Sequence, residues 1–209
     1  MRRHSSSSSE LIVVFRRTGE RRYAIEAKRP AFPDLEMNPA PGYDLLMPHD
    51  LMHLVVEAQL GLSKGIFGQL AAGGDAGTFH TTSNPGEKPR DAARIRNRLQ
   101  RRGKILLHEG RDDCAQSERA TYICWQEWLR RSKKRGQRDV AQDMSQQAKQ
   151  VRDVASATEL RALNARKLEE VCRHLDELSS HWTNLKVGQS MAVRWPDLAV
   201  SNDPSVFTS

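Results

Sequence analysis

His49 and His53 stand four residues apart in the run Pro48-His49-Asp50-Leu51-Met52-His53-Leu54-Val55-Val56-Glu57. On an α-helix this spacing sets both imidazoles on one face, roughly 6 Å apart along the axis. Two imidazoles so placed can share one metal ion, with zinc the first candidate. Asp50 follows the first histidine, where a carboxylate is suited to hold and deprotonate a metal-bound water. Glu57 lies two turns beyond His49, roughly 12 Å along the axis. One ion does not comfortably take both, so Glu57 fits better as an acceptor that fixes the tautomer of His53, or as an ion-pair partner. The same stripe also suits a plain hydrogen-bonding histidine pair or a polar boundary face.

The pattern predicts a helix beginning at Pro48, whose missing N–H is harmless in a first turn, with Asp50 favoured there by the dipole. Leu51, Met52, Leu54, Val55, Val56 and Ala58 cover most of the remaining circumference, so the helix is largely buried. Gly61 ends it. Before it, Leu11–Phe15 and Arg22–Lys28 flank the turn signal Arg17-Thr18-Gly19-Glu20 and read as a β-hairpin with one face solvated. Residues 29–48, punctuated by prolines, read as loop, and so does the glycine-rich stretch 73–90 that holds His80. Ser63 is placed to cap a short helix ending near Ala72. Residues 90–102 form a strongly basic helix, with Ile95 and Leu99 as its apolar pair. A further helix over 121–134, interrupted at Gly136, turns Tyr122, Trp125, Trp128 and Leu129 inward, and another spans about 140–155. From Glu159 to Leu185 the apolar residues Leu168, Val171, Leu175, Leu178, Trp182 and Leu185 alternate gaps of three and four, a seam that packs on a partner helix. Ser190–Trp195 is a strand able to complete the sheet.

These elements predict an α+β fold: a small antiparallel sheet from residues 11–28 and 190–195, packed on the histidine-bearing helix, with a long antiparallel helical hairpin over about 112–186. The chain divides into a disordered tail (1–9), an α+β part (10–110), the hairpin with its closing strand (111–197) and a second tail (198–209).

The order of strands followed by a histidine-bearing helix resembles the zincin metallopeptidases, on residues 48–57 alone. The resemblance implies zinc held by His49 and His53, Asp50 in the water-activating place, and a hydrolase. The same His-Asp-x-x-His letters resemble the HD-domain phosphohydrolases, in which the dyad normally ends an apolar helix of an all-helical domain. A third ligand is needed in either case. His80, His108, Glu109 and Asp113 are candidates, as are Glu170, His174, Glu177 and His181 on the stripe beside the seam.

The 209 residues carry a net charge of +7. Arginines cluster at 90–102 and 130–138, with Arg94, Arg98 and Arg101 along one side of the first cluster. The alternative reading is therefore a non-enzymatic module that binds nucleic acid or an acidic protein, weakly and without sequence preference, since no base-reading motif is present. The seam also admits helix-mediated self-association. Cys114, Cys124 and Cys172 are sparse, odd in number and without a C-x-x-C pair, which implies reduced thiols and a cytoplasmic setting. No apolar run approaches a membrane span, and the apolar run after the N-terminal serines is too short for a signal-peptide core. No Gly-x-Ser-x-Gly elbow or phosphate-loop signature occurs.

Overall fold

A computed structural model describes residues 10–42, 44–82, 88–131 and 138–207. The expected tail 1–9 and the interruption at Gly136 lie outside the described residues. Strands β1 (Leu11–Gly19) and β2 (Arg22–Lys28) form the expected antiparallel hairpin. Their alternation sends Leu11, Val13, Phe15, Tyr23, Ile25 and Ala27 into one core.

Residues 29–48 contain a strand rather than only loop: β3 (Leu35–Ala40) pairs with β2 and buries Leu35, Met37 and Ala40. Its register shifts between Met37 and Ala40, across Asn38 and Pro39, because proline has no N–H for the ladder. Two residues of the glycine-rich stretch also join the sheet, as β4 (His80–Thr81) beside β3. Strand β5 (Ser190–Trp195) pairs antiparallel with β1 as expected, and β6 (Val200–Ser201) extends that edge. Among the described residues the sheet thus has six strands, in the order β4-β3-β2-β1-β5-β6. Its outer face is not wholly solvated. Ile12, Val14 and Ala192 form a small second cluster under Phe207. Phe207 belongs to a short 3-10 turn, Pro204–Phe207, so part of the expected C-terminal tail is ordered.

Seven α-helices occur among the described residues. Helix α1 (His49–Leu60) starts after Pro48 and stops at Gly61, whose φ of 68° is the left-handed cap that glycine adopts without strain. Leu51 through Glu57 are all buried. Helix α2 (Ile66–Ala71) begins at Gly65 rather than at a Ser63 cap. Helix α3 (Pro89–Glu109) runs two turns past the expected end, and α4 (Arg111–Arg131) follows directly. Then come α5 (Arg138–Val154), α6 (Ala157–Ala162) and α7 (Ala165–Asn184). The expected single helix from Glu159 is two. Ser156 and Glu159 close a capping box on α6, and Asn164 caps α7 by accepting from Lys167 N at 3.0 Å. The seam holds: Val171, Leu175, Leu178, Trp182 and Leu185 are buried.

Helix α4 packs on α1, α5 and α7, and α1 packs on α7 as well. Tyr23 of the sheet meets Trp182 of α7 edge-on at 6.0 Å. One core therefore joins the sheet, α1 and the α4–α7 layer. Among the described residues, no helix is long and apolar enough to cross a membrane.

Candidate metal centre

Helix α1 presents His49 and His53 toward α4, with ring centroids 4.6 Å apart and nearly perpendicular planes. The third group comes from α4. One ligand atom from each of His49, His53 and Glu118 lies within 4.8 Å of the others. His53 Nε2 is 3.1 Å from Glu118 Oε2. In a tetrahedral site with bonds of about 2.1 Å, ligand atoms sit roughly 3.4 Å apart. The His53–Glu118 pair is close to that separation, and a ligand nitrogen of His49 lies within 4.8 Å of both. His49 packs beside Trp125, ring centroids 6.0 Å apart, and Tyr122 at 6.4 Å.

Hydrogen bonds select the tautomer of His53. Ser117 Oγ donates to Glu57 Oε1 at 3.1 Å. That uses its only proton, so at 2.9 Å from His53 Nδ1 it accepts Nδ1–H. Thr121 Oγ1 lies 3.3 Å from the same nitrogen. With a proton held on Nδ1, Nε2 faces Glu118: a second proton on Nε2 makes the two an ion pair, and its release frees the Nε2 lone pair for a metal. This is the carboxylate-backed histidine arrangement that metal ligands use, relayed here through a serine. Glu57 is thus linked to His53 through Ser117 and not by a direct hydrogen bond. The same carboxylate also accepts Ile66 N at 3.0 Å and Phe67 N at 2.9 Å, which holds the start of α2.

Electrostatics agree with the geometry. Burial, then the neighbouring His53, lowers the pKa of His49, which keeps its ring neutral and able to ligate. The hydrogen bond that His53 donates when Nε2 carries a proton leads the influences that lower the pKa of Glu118. Burial pushes Glu57 up to about 7 despite its three donors. The side chain of His53 is only 5% exposed while that of Glu118 is 58% exposed, so the trio opens to solvent on the Glu118 side. An apolar cavity of about 440 Å³ has Glu57, Gly61, Gly68 and Trp195 in its wall. None of the three ligand residues lines it.

Asp50, expected beside a metal-bound water, has its carboxylate elsewhere. It is hydrogen-bonded to the Tyr23 hydroxyl, which also meets the Pro41 carbonyl. Burial raises the pKa of Asp50. The Tyr23 hydroxyl, placed between Asp50 Oδ2 and the Pro41 carbonyl, is the donor shared by these two acceptors. The result ties the first turn of α1 to β2 and to the segment after β3, and His49 N donates to Gly42 O at 3.2 Å nearby.

The other expected ligands do not join the pair. Exposed His80 sits in β4 opposite Glu36, and His108 and Glu109 are exposed at the end of α3. Asp113 Oδ2 accepts Lys64 N at 2.8 Å. On α7, Glu170 pairs with Lys167 at 2.8 Å and His181 with Asn202 at 2.9 Å, apart from any metal grouping among the described residues. Glu118 was missed, although a signal for it exists. It lies one turn before Tyr122 and two before Trp125, on the inward face that the tryptophan spacing already defines. Arg94, Arg98 and Arg101 are all exposed along α3.

Comparison with family models, curated proteins and solved structures finds no match. The likeness to zincins and HD-domain phosphohydrolases therefore rests on the motif residues alone.

Proposed function

We propose that His49, His53 and Glu118 bind a single divalent transition-metal ion, zinc first of all, in a centre that carries out metal-dependent hydrolysis. The observation that carries the reading is that one ligand atom from each of His49, His53 and Glu118 lies within 4.8 Å of the others, with His53 Nδ1 engaged by Ser117 so that Nε2 is the nitrogen that faces Glu118. Two histidines and one carboxylate are a donor set that borderline metals accept, and structural zinc sites more often close with four protein ligands. Three protein ligands and a solvent-facing Glu118 leave one position for water. A metal in such a place lowers the pKa of its water toward neutrality and polarises an acyl or phosphoryl oxygen.

In this reading, Asp50 is a positioning residue, because its carboxylate is engaged with Tyr23. It sets where α1 begins and so where His49 points. Ser117 and Glu57 orient His53. The reading is tested by dialysing purified protein against chelator, titrating Zn²⁺ by calorimetry, and assaying ester, phosphoester and peptide substrates with and without metal. One equivalent bound by wild type and none by His53→Ala, with turnover only in the loaded protein, is the expected result. Failure to bind zinc, cobalt or manganese reduces the trio to a buried histidine ion pair. Binding without turnover on any of the three substrate classes leaves a metal site and removes the hydrolase.

A further inference from the structure

On α3, arginines with two different fates stand side by side. Arg102 is held: its Nε donates to Ala72 O at 2.6 Å and its guanidinium lies 5.2 Å from the Phe32 ring centre. Arg90, Arg94, Arg98 and Arg101 are exposed and have no ion pair among the described residues. Projected at about 100° per residue, these four and Asn97 fall within an arc of about 100°, opposite the buried Leu99 and Gly103. They line a surface groove together with Lys88, Ala93 and a single acid, Asp91.

We infer that this groove is a second binding site, one that grips the phosphate backbone of double-stranded nucleic acid without reading its sequence. Four guanidinium groups follow one another at about 6 Å or less along the axis, over about 16 Å. Guanidinium forks suit phosphate oxygens, and a row of them neutralises successive phosphates with release of counterions. The groove lining fixes the class of partner. It contains no aromatic side chain on which an unpaired base would stack, so a duplex fits better than a single strand. It also contains no large apolar side chain, the usual centre of a protein interface, so an acidic protein fits less well. Opposite the groove, α3 is seated firmly: a Cβ added at Gly103 would lie 2.1 Å from Asp75 Oδ1.

The experiment is fluorescence anisotropy of the full chain with a 30-base-pair DNA duplex and the same length of duplex RNA, over a series of NaCl concentrations. Arg94→Gln/Arg98→Gln/Arg101→Gln is compared with Arg152→Gln/Arg161→Gln/Arg166→Gln, which removes equal charge from exposed positions on α5, α6 and α7. The groove variant should lower the slope of log affinity against log salt by roughly 0.9 per lost phosphate contact, close to 3 in all, while the control retains the wild-type slope. The exposed, unpaired arginines leave the fold intact, and thermal melting verifies it. Equal loss in both variants overturns the site in favour of diffuse charge attraction. Polyglutamate competing as well as duplex overturns the nucleic-acid assignment, and absence of binding at low salt overturns the inference altogether.

Discussion

His53 Nε2 lies 3.1 Å from Glu118 Oε2, joining the buried middle of α1 to the solvent-facing side of α4. An imidazole and a carboxylate at this distance form an ion pair when the nitrogen carries a proton, or take a metal between them when it does not. Ligand substitutions distinguish the two. His49→Ala, His53→Ala and Glu118→Ala should each abolish stoichiometric zinc, read by elemental analysis after dialysis. Glu118→Gln should weaken it strongly, since an amide oxygen is a poor neutral substitute for a carboxylate. Zinc retained in full by Glu118→Ala would remove α4 from the site.

Ser117 touches no metal in the proposed centre, yet it sets which nitrogen of His53 is free. Replacing it by alanine removes the acceptor for Nδ1–H and leaves Thr121 Oγ1, at 3.3 Å, as the remaining neighbour. Outer partners of this type alter metal affinity by roughly 10- to 100-fold. Ser117→Ala should show that loss in a calorimetric zinc titration with stoichiometry unchanged. Ser117→Thr retains a hydroxyl and should recover part of it.

Much of this arrangement was legible in the residues. The hairpin, the buried helix after Pro48, the closing strand 190–195 and the seam on α7 all follow from apolar spacing, because each buries one continuous face. Strand β3 was hidden because Pro33, Pro39 and Pro41 signal loop, whereas the sheet accommodates Pro39 at a register shift. The break at Asn164 was hidden because a heptad count is blind to a cap that interrupts it. Within the site, His49 and His53 were visible from local spacing alone. Glu118 was not, because its role depends on how α4 lies on α1, a contact between distant parts of the chain. The surroundings of Asp50 were hidden for a related reason. Its neighbour in sequence is a candidate ligand, but its neighbour in space is Tyr23 on the sheet.

Asp50 and Tyr23 should therefore matter for stability before chemistry. Tyr23→Phe removes the hydroxyl that links Asp50 to Pro41 and leaves buried oxygens without their partner. A loss of about 1–3 kcal/mol in urea unfolding is expected. Asp50→Asn, whose amide oxygen can still accept from Tyr23, should retain zinc and most of any metal-dependent turnover. A variant that binds zinc normally, folds normally and yet loses all turnover would return Asp50 to the role of base.

Gly61, which ends α1, and Gly65, which begins α2, separate backbone strain from damage to the site. At Gly61, φ is 68° and an added Cβ meets nothing within 4 Å, so Gly61→Ala should cost about 1–2 kcal/mol and leave zinc affinity unchanged. At Gly65 a Cβ would fall 2.4 Å from the Glu57 carboxyl carbon. Gly65→Ala must displace that carboxylate, and with it the acceptor for Ser117. Both unfolding free energy and zinc affinity should fall, a combination that chemical denaturation and calorimetry on the same samples would reveal.

Glu57 makes the stability of the metal-free protein depend on pH in an unusual direction. Burial raises its carboxyl from 4.5 to about 7, so between those values the folded chain holds a proton that the unfolded chain releases. Stability at this residue is therefore greatest below about pH 4.5 and is lost as pH rises toward 7, by about 3 kcal/mol. His49 and His174, with lowered pKa values, act in the opposite sense as pH rises toward the usual histidine range. The readout is consequently the difference between wild type and Glu57→Gln in urea unfolding at intervals from pH 4.5 to 7.5. The glutamine does not titrate, and its amide nitrogen cannot accept from both backbone donors, Ile66 N and Phe67 N. The variant should be less stable than wild type at pH 5, with the gap narrowing toward pH 7. A gap that stays constant across the range would mean that Glu57 remains ionised in the fold, held so by its three donors.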